Sequence, residues 1–198
     1  MIRRLALASA LALASAPVFA ATYSLDPGHT QVVYSWTHFG YSHPSGQFGH
    51  IEGTLDFDAA APTKAKVEVT IDMKSINTNV PALDEHLQKA DFFDVEKYPQ
   101  ATFRSTKVEA GKDRQHLKVT GDLTLHGVTR PVVLDVTINK VGVHVMRKKE
   151  AVGFDATASI KRSDFGVGAF APNVSDEVSL RITTEAIAAE AEAGNTTQ

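Results

Sequence analysis

Side chains able to do chemistry are concentrated in two stretches of the chain. Between Asn79 and Phe103, the polar Asp84, His86, Asp91 and Asp94 interleave with Leu83, Leu87, Phe92, Phe93, Val95, Tyr98 and Phe103. That mixture could close over an apolar pocket while turning Asp84 or His86 toward a polar head at its mouth. It could equally be a helix and its exit loop capping a filled core. The second stretch runs from Lys161 to Gly168, where Arg162, Asp164 and Phe165 stand among glycines. There the spacing predicts a local pair between Arg162 and Asp164, with the glycines turning the chain.

Eight histidines raise the question of a metal, and His29, His38, His43 and His50 fall close together. None is four residues from another, as a helical zinc motif requires, and the chain has no cysteine to supply thiolates. The same absence excludes a disulfide scaffold and thiol redox chemistry. No Gly-x-Ser-x-Gly elbow occurs, and the carboxylates are too scattered to single out an acid/base pair. A histidine-dependent metal protein or enzyme using His38, His86 or His126 therefore stands as the alternative, behind a non-catalytic binding protein without cofactor.

The elements that must hold these residues follow from the rest of the 198-residue sequence. Met1-Ile2-Arg3-Arg4, an apolar run from Leu5 to Ala14, and small residues at Val18 and Ala20 have the form of a secretory signal peptide cleaved after Ala20. The run is too short to span a membrane, and Pro17 interrupts its end. Without those twenty residues 178 remain, and the loss of two arginines takes the formal charge from −3 to −5. No basic footprint for nucleic acid is left. The style of the leader points to a bacterial periplasm, and no second apolar stretch would anchor the exported chain.

Period-two alternation dominates residues 21–188. Val32-Tyr34-Trp36-His38, Ile51-Gly53-Leu55-Phe57, Val67-Val69-Ile71 and Leu117-Val119-Gly121-Leu123-Leu125 each mark one face of a strand. Residues 100–108, 132–138, 151–161 and 177–187 complete a set of about eight, with a short addition at Tyr23–Leu25. One segment near residues 80–90 sets Leu83 and Leu87 four apart behind Pro81, as a short helix would. The fold expected is all-β, in strands that alternation alone would let close as a barrel or stack as a sandwich; their length and the lack of a Cys-Trp-Cys spacing favour one antiparallel barrel domain, flanked or capped by that helix, with a frayed tail at 189–198. A barrel of eight strands is either filled by side chains or left open for one small ligand. A solid barrel would make this a structural stress protein.

Five ordered motifs carry a family resemblance. They are Asp26-Pro27-Gly28-His29; His38-Phe39-Gly40 followed by Ser45-Gly46-Gln47-Phe48; Asp84-Glu85-His86-Leu87 with Asp91-Phe92-Phe93-Asp94-Val95-Glu96-Lys97-Tyr98-Pro99; Gly121-Asp122-Leu123-Thr124-Leu125-His126-Gly127-Val128-Thr129; and Arg162-Ser163-Asp164-Phe165-Gly166. Together they resemble the YceI-like family of polyisoprenoid-binding proteins across residues 22–187. The resemblance implies an extended lipocalin-like antiparallel barrel whose interior holds a long isoprenoid or similar lipid, in an exported protein that can form a homodimer. Many members carry an arginine where Leu83 stands here, so a neutral head such as a quinone ring fits better than a pyrophosphate, any charge contact being left to Arg162.

On this reading Tyr34, Trp36, Ile51, Leu55, Val67, Val69, Ile71, Phe103, Leu123, Val178, Leu180 and Ile182 face inward. Gly53, Gly121, Ala101, Ala156 and Ala158 would leave room for a guest. The ligand-binding set is Tyr34, Trp36, His38, Phe48, Ile51, Leu55, Val69, Ile71, Leu83, Asp84, His86, Leu87, Phe92, Phe93, Phe103, Leu123, Arg162 and Phe165.

Overall fold

The structure, a computed structural model, describes residues 20–189. Residues 1–19, where a signal peptide is expected, and residues 190–198, where a frayed tail is expected, lie outside them. The described residues form eleven strands and one short α-helix: β1 Ala21–Leu25, β2 Gln31–Ser35, β3 Ser45–Phe48, β4 Ile51–Phe57, β5 Lys66–Asp72, β6 Ile76–Asn77, α1 Pro81–Leu87, β7 Gln100–Ala110, β8 His116–Leu125, β9 Val128–Val143, β10 Glu150–Lys161 and β11 Glu177–Ala188.

The order β1-β4-β5-β7-β8-β9-β10-β11 returns to β1 through antiparallel pairing of Tyr23 with Ala188 and Leu25 with Ala186. The ring is therefore a closed eight-stranded antiparallel barrel, which leaves no exposed sheet edge along that ring. β2 continues the line of β1 along β11, pairing Gln31–Ser35 with Thr183–Ser179, and carries β3 and β6 as a ribbon beyond the ring. The sequence reading joined β2 into the strand ending at His38 and did not contain β3 or β6, whose alternation lasts only four and two residues.

Between β1 and β2 the Asp26-Pro27-Gly28-His29 turn is closed by its own carboxylate. Asp26 Oδ1 accepts from the Gly28 N–H at 2.9 Å, and the Arg147 guanidinium donates to Oδ2 at 2.8 Å. Burial alone would raise the Asp26 pKa, but these donors and the His29 imidazole hold it below the usual carboxylate range.

The α1 helix is shorter than the 80–90 segment, ending at Leu87 with Gln88 as its cap. From there the Phe93 and Val95 N–H groups turn back onto the carbonyls of Leu87 and Gln88, burying Phe92 and Val95. Leu83 and Leu87 are half-buried, so the helix leans on the barrel end instead of plugging it.

Two of the small residues expected to leave room for a guest are occupied by the protein itself. A Cβ at Gly121 would collide with the Phe103 ring and come within 2.6 Å of the Arg104 carbonyl, and one at Gly53 would meet the Glu68 carbonyl at 2.5 Å and Leu25. These glycines seat neighbouring chains of the barrel wall. Gly121→Ala is expected to cost about 1–3 kcal/mol, since the Phe103 ring must leave its place; chemical denaturation of the variant measures it.

Candidate functional site

Where the barrel's inward faces meet, they do not fill it. Val69, Ile71, Phe103, Leu123, Leu134, Leu180 and Ile182 all point into the interior yet remain half-buried, because part of each faces empty space. The lumen is also lined by Leu25, Val32, Ile51, Leu55, Phe57, Leu117, Val119, Val132, Phe154 and Ala156. Space open to the centre of a water molecule amounts to about 170 Å³, slightly more than the about 150 Å³ of an apolar cavity that stays dry and takes up benzene.

Among the described residues the lining carries no charged side chain, and its polar members are Thr30 and Thr184, whose hydroxyls are 2.7 Å apart and satisfy one another. A wall of this kind can remove hydrocarbon from water.

Six of the eighteen residues proposed from sequence lie on this wall: Ile51, Leu55, Val69, Ile71, Phe103 and Leu123. Of the further inward-facing assignments, Val67, Leu180 and Ile182 are there too, whereas Val178 is not. Leu25, Phe57, Leu117 and Val119 were legible as alternating apolar positions but were not chosen. Thr30 and Thr184 carried no signal.

The other twelve occupy the barrel end beside α1. Tyr34 stacks on Trp36 with ring centroids 5.8 Å apart and packs on Phe48 at 5.3 Å; Phe48 in turn meets Phe93 edge-on at 6.3 Å. β2 leaves the lumen after Val32, which is why Tyr34 and Trp36 share its face but not its cavity. The Tyr34 hydroxyl is buried against Gly46 with no hydrogen-bond partner among the described residues, and burial, then the nearby Asp84 charge, pushes its pKa above the usual phenol value. Leu87 packs on this cluster, and Phe165 is buried within it.

Asp84 faces its own chain: its Oδ1 accepts from the Thr78 N–H at 2.7 Å and from the Thr78 hydroxyl at 2.6 Å. The His86 ring lies edge-on to Phe92, with Nε2 3.7 Å from an Asp91 oxygen, and Phe92 reaches Phe170 at 6.1 Å. His38 is exposed against Phe39. His126 sits on Tyr98 and donates from Nδ1 to the Phe165 carbonyl at 3.2 Å. Among the described residues no three His, Cys, Asp or Glu side chains come together as a metal-holding group.

Arg162 corrects the expected local pair with Asp164. It is only 9 % exposed, and its guanidinium donates to four carbonyls of the β10–β11 loop: Ser175 from Nε at 2.8 Å, Val167 and Ala169 from Nη1 at 2.8 and 2.7 Å, and Val174 from Nη2 at 2.7 Å. Burial lowers its pKa, opposed by the charge of Asp176. The acid of this loop is thus Asp176, which accepts from the Ser163 N–H and hydroxyl at 2.8 and 2.6 Å.

A closed antiparallel ring around an apolar lumen is the architecture of a binding barrel, a lipocalin-like container. The chain belongs to the YceI-like family, whose domain model matches residues 23–186. It is 42 % identical over 181 residues to Protein YceI of Escherichia coli O157:H7, a match covering 90 % of this chain and 93 % of that one. Among solved structures, the Campylobacter jejuni YceI protein superposes with a TM-score of 0.70 at 37 % identity, over 78 % of this chain and 90 % of that one. A polyisoprenoid binding domain from Saccharophagus degradans, implicated in plant cell wall breakdown, shares the fold with a TM-score of 0.67 at 17 % identity, over 86 % of this chain and 99 % of its own.

Proposed function

We propose that the protein is a periplasmic carrier that shelters the apolar tail of a long-chain polyisoprenoid, such as an isoprenoid quinone or polyprenyl lipid, without covalent catalysis. The observation that carries this reading is the uncharged lumen whose inward-facing aliphatic side chains are left half-exposed to it. The family, and a structural relative described as a polyisoprenoid binding domain, support the choice of ligand class.

Magnitudes set the size of the guest. One five-carbon unit contributes roughly 4 kcal/mol gross, association costs on the order of 4–15 kcal/mol, and micromolar affinity needs about 8 kcal/mol net. About four units or more are therefore required. A chain of that length needs several times the about 170 Å³ that stands freely open. Entry of such a chain moves the half-buried Leu and Ile side chains to other rotamers.

With only the two threonines polar, the head group stays at the opening and contributes little. Organic-solvent extraction of the purified protein followed by mass spectrometry is expected to release a long-chain lipid in near-stoichiometric amount. A lipid-free extract from a protein that also fails to take up added polyprenols would contradict the reading, and bound zinc in place of lipid would favour a histidine-based metal protein.

A further inference from the structure

The hairpin joining β9 to β10 carries Val141, Val143, Val145 and Met146, all exposed, Val145 at 69 % and Met146 at 84 %. Lys140, Arg147, Lys148 and Lys149 stand beside them against a single acid, Glu150, although the chain without its leader carries a net charge of −5. The turn is built to hold its apex outward. His144 Nδ1 accepts from the N–H groups of Met146 and Arg147 at 3.2 and 3.1 Å, and the backbone closes through His144 N–H to Lys149 O and Lys148 N–H to His144 O, both 2.8 Å. Below the apex, Arg147 is tied to the buried Asp26, and His144 Nε2 lies 3.6 Å from Glu185 Oε2. The strands that lead into the hairpin carry Val136 and Phe154 of the lumen wall.

We propose that this tip docks the protein on an anionic phospholipid bilayer, with Val145 and Met146 entering the boundary between head groups and acyl chains while Lys140 and Lys148 meet lipid phosphates. An aliphatic apex flanked by cations complements a surface that is anionic outside and apolar beneath. The remaining exposed large apolar side chains among the described residues are the single valines Val80 and Val133 and the group Phe39, Tyr41 and Phe170, which sits on segments 38–44 and 166–175 that contain no lysine or arginine, so an apolar cluster flanked by cations singles out the hairpin. Docking does not depend on what the lumen holds, and its failure would leave the carrier reading untouched.

Co-sedimentation with vesicles of mixed phosphatidylcholine and phosphatidylglycerol, beside vesicles of phosphatidylcholine alone, tests the proposal. Binding is expected only where phosphatidylglycerol is present and should weaken with added salt. The paired changes Val145→Ser with Met146→Ser, and Lys140→Glu with Lys148→Glu, should each lower partitioning about tenfold without moving the unfolding midpoint, since these side chains are exposed. Equal or no binding to the two vesicle types, or variants that partition like the parent, would overturn it. So would light scattering that finds the Val145/Met146 variant changed in oligomeric mass but not in vesicle binding, which would assign the tip to a second copy of the chain.

Discussion

Arg162→Ala is expected to lower the free energy of unfolding by about 3–5 kcal/mol. Four carbonyls of one loop converge on the guanidinium, and removing it takes the donor from all four, the Val167 carbonyl buried and the other three partly so. The damage should spread along the chain. Thr37 O accepts from Ser175 N–H, and Asn173 O accepts from Phe39 N–H, so the loop and the segment after β2 are held together. Amide exchange at Phe39, Val167 and Ser175 should accelerate with the loss of stability measured in denaturant. Arg162→Lys should recover only a small part, because an ammonium cannot reach four acceptors arranged around a planar fork. A cost below about 1 kcal/mol, typical of ordinary surface changes, would show that the loop is held by something else.

The second large effect concerns the lumen. Ala156 lines it, with register partners Ile182 and Val136 on either side, both on the same wall. Ala156→Phe places a ring in space that is open, so its cost in stability should stay under about 1.5 kcal/mol. Lipid recovered from the purified variant should nevertheless fall to less than about a tenth of the parent's, because each isoprene unit excluded forfeits roughly 4 kcal/mol of burial. Gly121→Ala acts in the opposite sense, straining a filled position, so the pair separates a loss of fold from a loss of cavity.

The strands were legible in the sequence because alternation persists over long stretches: Leu117 to Leu125 reads inward at every second residue, as β8 does, whereas alternation would fit a sandwich as well and closure into a barrel was implied by strand length and the family resemblance. The six lumen residues of the candidate site stand on faces that this periodicity marks and that the family resemblance turned inward. What periodicity cannot convey is where a strand leaves the ring. Val32 and Tyr34 share a face, yet one borders the cavity and the other joins the aromatic layer near α1. Nor does it tell whether a glycine makes room for a guest or for Phe103, since both need the same missing Cβ. Arg162 beside Asp164 looked like a local pair because charge and spacing are visible, whereas four main-chain carbonyls converging from residues 167–175 are not.

The central claim, that hydrocarbon burial in the lumen supplies the affinity, is tested most directly by titrating a graded series of prenyl alcohols of increasing chain length, with one pyrophosphate ester as a head-group control. Affinity should climb steeply through about four units, level off once the space between the walls is full, and change little between alcohol and pyrophosphate. A flat dependence on chain length, or strong binding of a short pyrophosphate, would contradict it.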